Sequence, residues 1–95
     1  MHATYSVVLK SGLPPSERSF LSELSAMEIT QGEGAEPLLE FHCTKIDVSH
    51  HMYIEMETFR PGDKVIFPLR IPHFFVLAIH HSERPKKIGF VTSDT

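Results

Sequence analysis

The chain has 95 residues, 41% hydrophobic and 22% charged, which bounds it to one domain, residues 1–95, with no tract that argues for disorder. Its apolar runs are too short to span a bilayer and MHATYSVVLKSG lacks the features of a secretory leader, so no membrane partner and a cytoplasmic location are expected; a single cysteine, Cys43, excludes an internal disulfide and any zinc site built on several thiolates. Net charge is −3, with three basic and nine acidic side chains in residues 1–59 against six and three in 60–95, a balance that argues against nucleic acid while leaving a basic stretch, including Lys86 and Lys87, for an anion or a protein partner.

In chain order, TYSVVL alternates, with Tyr5, Val7 and Leu9 on one side, and reads as a strand ending at Ser11-Gly12. In the segment 15–28, Phe20, Leu21, Leu24 and Met27 recur at helical spacing behind Pro14-Pro15-Ser16, the signature of a short amphipathic helix ending before Gly32 and Gly34. After the turn QGEGAEP, LLEFHCTKIDV reads as a long strand with a bulge, because apolar parity shifts between Phe41 and Ile46. HHMYIEMETF alternates, with Met52, Ile54 and Met56 inward and His51, Tyr53, Glu55 and Glu57 outward. Arg60-Pro61-Gly62-Asp63 turns the chain into KVIFPLRI, which places Val65, Phe67, Leu69 and Ile71 on one face. HFFVLAIHH is apolar on both faces, as a covered central strand would be, and KIGFV closes the chain with Ile88 and Phe90 inward. The expected fold class is mainly β, an antiparallel sandwich or barrel, with one short helix near 15–28.

The stretch RPGDKVIFPLRIPHFF, residues 60–75, resembles the second signature of the cupins, G-x5-P-x-G-x2-H-x3-N: Gly62, Pro68 and His73 fall in register, while Arg70 replaces a glycine and Leu77 the asparagine. The first signature, G-x5-H-x-H-x3-4-E-x6-G, has its frame from Gly12 to Gly32, but Arg18 and Phe20 stand at the histidine positions and Ser25 at the glutamate position. The resemblance implies a cupin-like jelly roll with strands across the helical segment. It also implies a barrel mouth lined by Arg18, Phe20, His73 and Phe75, where Arg18 offers charge-assisted hydrogen bonds to a carboxylate or phosphate. KIDVSHHMYIEMETF is also similar to the PilZ barrels, with Asp47 and Ser49 matching D/N-x-S, but Met52 replaces the following glycine and the R-x-x-x-R clamp is missing.

Seven histidines invite a metal, yet adjacent pairs such as His50-His51 and His80-His81 point to opposite faces of a strand, and no H-x-H occurs. His73 is the one metal-ligand candidate by position, with Glu23 near enough to supply a carboxylate in a shifted register; a lone histidine at a strand start also serves as a donor to a backbone carbonyl. Cys43 reads as a small buried hydrophobe, and Glu55 and Glu57 as an exposed acidic pair. No catalytic constellation is present in the pattern. The functional expectation is a small domain that has lost the usual cupin metal ligands and binds a small polar or anionic ligand or a protein partner, with no cofactor expected. The alternatives are a divalent-metal cupin-type oxygenase or isomerase using His73, and a ligand-free interaction barrel. A homodimer suits each, since a β domain of this size buries little surface alone.

Overall fold

Alternation of apolar and polar side chains is a property each strand carries by itself, and a computed structural model of the chain, which describes residues 5–60, 62 and 64–81, assembles those strands into one antiparallel sheet. Its elements are β1 (Tyr5–Leu9), α1 (Pro15–Leu24), β2 (Met27–Ile29), β3 (Leu38–Asp47), β4 (Tyr53–Phe59), β5 (Phe67–Pro72), a 3-10 turn (His73–Phe75) and β6 (Val76–His81). The protein is therefore mainly β with one short helix. Strand order is β5-β4-β3-β1-β6, and β2 pairs with the first residues of β3, Met27 opposite Glu40 and Ile29 opposite Leu38. The expected strand at KIGFV, together with Lys86 and Lys87, lies outside the described residues. A jelly roll has two sheets face to face; all the described strands here belong to one.

That sheet is coiled, and a short connection shows why. Laid flat, five strands would put β5 and β6 about 19 Å apart, at ~4.8 Å per neighbour. Only the 3-10 turn His73–Phe75 joins them. Three residues span at most about 11 Å even when fully extended. The two outer strands must therefore approach at this corner, and the inner face closes around a core of Val7, Leu9, Phe41, Cys43, Ile54, Met56, Ile71 and Phe75, capped by Leu13, Leu21 and Leu39. Two backbone bonds pin the corner: His73 N–H donates to the Met52 carbonyl at 3.2 Å, and Lys10 N–H to the Phe75 carbonyl at 2.8 Å.

The bulge is present. Cys43 faces Thr58 and Lys45 faces Glu57, so Thr44 is the extra residue, and beyond it Ile46 rather than Lys45 packs inward. The helix forms where the spacing placed it but stops at Leu24: Pro15 occupies its first turn, and Ser25 turns extended while its hydroxyl donates to the Ser22 carbonyl at 2.9 Å. Met27, expected on the helix, instead begins β2, because a free edge of β3 at 38–40 offers ladder bonds that another helical turn would forgo.

Three expectations are corrected. His73 starts a 3-10 turn, not a strand. Among the described residues the following strand, apolar on both faces, stands last in the strand order and is not covered: Leu77 is 59% and Ile79 40% exposed. Val65 falls before β5 and is exposed, as is Met52 before β4.

Candidate functional site

Helix α1 meets the sheet through Leu21, its one buried side chain, with Leu24 packed beside it. The opposite, polar side of the helix faces the loop that returns from β2 to β3, and between them runs a groove of about 540 Å³ lined by Leu13, Pro15, Arg18, Ser19, Ser22, Glu23, Glu28 and Glu36. Glu36 ties the groove together. One carboxylate oxygen accepts from the Gly12 amide at 3.0 Å, and the other accepts from Arg18 Nε at 3.0 Å. Gly12 presents that amide from the left-handed region, φ 81°, a conformation that a side chain would strain. Ser22 Oγ donates to Glu28 at 3.0 Å, and Arg60 donates to the Glu23 carbonyl at 2.8 Å, anchoring the last turn of the helix to the end of β4.

Arg18 is the polar side chain with unfinished chemistry. Its side chain is only 17% exposed, and its Nη1 is the one buried side-chain nitrogen or oxygen among the described residues without a hydrogen-bond partner. A buried donor left so costs about 1–3 kcal/mol, and a partner that supplied an acceptor there would recover it. Against this single cation the groove sets Glu23, Glu28 and Glu36, so its lining is net negative. The anion that Arg18 meets is the protein's own Glu36.

The four residues expected to share a mouth occupy different environments. Arg18 lines the groove; Phe20, two positions on, points outward and is 61% exposed. Phe75 is buried in the core, with Phe74 exposed in its place over Lys10. His73 sits at the other end of the 3-10 turn, where its Nε2 donates to the His50 carbonyl at 2.6 Å. That bond is the backbone-donor role, and no group of three or more His, Cys, Asp or Glu side chains among the described residues is arranged to hold a metal ion. The surroundings of His73 do not fit the three or four converging ligands that a cupin-type metal needs.

The β3–β4 turn forms a second polar cluster. Asp47 accepts from the Ser49 amide at 2.9 Å and from its hydroxyl at 2.6 Å, and these bonds hold the carboxyl below its ordinary range. His50 Nδ1 accepts from the Met52 amide at 3.1 Å, and its ring stacks on Tyr53 at 3.8 Å, with the Arg70 guanidinium 5.4 Å from the other ring centre. Glu55 accepts from Arg70 Nε at 2.8 Å, and Glu57 from Thr44 at 3.4 Å, so the outward acidic pair is engaged by its neighbours.

Glu36, Ser22 and Glu28 carry the groove and were invisible in the sequence pattern, because each gains its role from a partner on another element. Comparison of the chain with protein-family models, with curated proteins and with solved structures found no match.

Proposed function

We propose that the protein is a binding domain for a small polar ligand, held in the groove between α1 and the β2–β3 loop. The buried, unpartnered Arg18 Nη1 beside that groove carries the reading. A ligand that presents an acceptor oxygen to Arg18 and hydroxyl or amino donors to Glu23, Glu28 and the hydroxyls of Ser19 and Ser22 would complete the Arg18 donor and add to the Ser22–Glu28 bond. The net negative lining favours such a neutral or zwitterionic molecule over the anion that Arg18 suggests in isolation. The scaffold supports preorganisation, since Glu36 holds Arg18 and is itself held by Gly12.

A thermal-shift screen of the full chain against amino acids, polyols and simple sugars tests this. A bound class at about a hundred times its Kd adds about 2.7 kcal/mol of stability. In a domain of this size that raises Tm by roughly 10–20 °C. The shift is expected to vanish in Arg18→Ala and to weaken in Glu36→Gln, with circular dichroism unchanged. No shift with any class, or one that survives Arg18→Ala, overturns the reading.

A further inference from the structure

A sheet edge exposes unpaired N–H and C=O groups, and an extended segment of any chain can add to it as a further strand. Among the described residues β5 has one neighbour, β4, so its other side is such an edge. The His73 amide bonds to the Met52 carbonyl, which sets the parity of the ladder. In an antiparallel pair the backbone groups of successive residues turn alternately toward the partner and away from it. Phe67, Leu69 and Ile71 therefore bond to β4, and Pro68, Arg70 and Pro72, opposite Glu57, Glu55 and Tyr53, turn their backbone outward.

Two of these three outward positions are proline, which has no N–H to donate. The third is a charged residue whose side chain is tied to Glu55 at 2.8 Å and lies over Tyr53. Both prolines sit where they remove no bond from the sheet, and a shift of either by one residue would break the β4–β5 ladder. The spacing of four, with Arg70 between, is thus matched to the free edge.

We infer that Pro68 and Pro72 seal the β5 edge against strand addition, whether by a second copy of this chain or by another extended peptide. The residues of 60–75 that resemble a ligand-bearing signature serve here as architecture: Gly62 turns the chain at φ 87°, the prolines close the edge, and His73 fastens the corner.

Hydrogen exchange on the unmodified full chain gives the first test. The Leu69 and Ile71 amides are expected to exchange at least about tenfold more slowly than Arg70, whose N–H has no partner inside the sheet. Equal protection of Arg70 would overturn the assigned parity, and with it the inference. The second test is the double substitution Pro68→Val and Pro72→Val, which restores both outward donors while keeping β-compatible side chains. Sedimentation is expected to show concentration-dependent association of the variant above any shown by the parent chain, with unchanged circular dichroism. A folded double variant that sediments as the parent does at every concentration would sink the inference. If the double variant does not fold, Pro68→Val alone, which restores one outward donor, is put to the same sedimentation test with the same two outcomes.

Discussion

Cys43 sits on β3 with its side chain wholly buried, its sulfur 3.7 Å from the sulfur of Met56. Burial pushes its thiol up from an ordinary 9.0 to about 12, while a hydrogen bond with Thr58 pulls weakly the other way. An acid whose pKa is raised on folding stabilises the fold fully below its unfolded value and loses that contribution as pH climbs to the folded one. Stability measured by urea unfolding is therefore expected to fall between pH 9 and about 12, and Cys43→Ala to flatten part of that fall. A thiol reagent at neutral pH should label Cys43 only as fast as the protein opens. Rapid labelling under native conditions would contradict the burial. Arg18 shows the converse case, a charged group drawn inward by one carboxylate and left a donor short.

At the scale of elements, the Thr44 bulge sets which face of β3 is apolar on either side of it. Before it Phe41 and Cys43 are inward, after it Ile46. Deleting Thr44 would remove the extra residue and leave Cys43 inward, Lys45 outward and Ile46 inward in unbroken alternation. The deletion is therefore expected to keep Ile46 in the core and to change stability in urea unfolding by no more than about 1 kcal/mol. A loss of about 3 kcal/mol or more, as burial of an unpaired charge costs, would mean that Lys45 had turned toward the core. The helix follows local rules at its entry, where Pro14 and Pro15 set the backbone, and yields to the sheet at its exit, where β3 recruits Met27–Ile29.

For the whole molecule, the decisive contact is the corner at which β5 and β6 meet. Phe75 plugs it from inside while its carbonyl holds Lys10. Phe75→Ala is expected to destabilise the domain by about 3–5 kcal/mol, against ~0.2–0.5 kcal/mol for Phe74→Ala, whose ring is 68% exposed. Thermal unfolding of the two variants checks this. Similar losses would mean that the corner does not close the core. Among the described residues no helix is long and apolar enough to cross a membrane.

Much of this architecture is written locally. Alternation in 5–9 and 53–59, the parity shift within 38–47, the double proline before the helix and Gly62 at the turn each follow from backbone sterics or from which face a side chain occupies. Those are properties a segment has on its own. Which strand lies at an edge is not such a property: Val76–His81 has the apolar content of a central strand, yet among the described residues it stands last in the strand order. Likewise Phe20 and Phe75 are the same residue type, one in solvent and one in the core. Arg18 finds Glu36 across 18 residues, and His73 spends its ring nitrogen on a carbonyl 23 residues away. Partners so far apart in the chain meet only once the sheet has coiled. The strands and turns therefore belong to the sequence, and the groove, the sealed edge and the use of His73 to the tertiary structure.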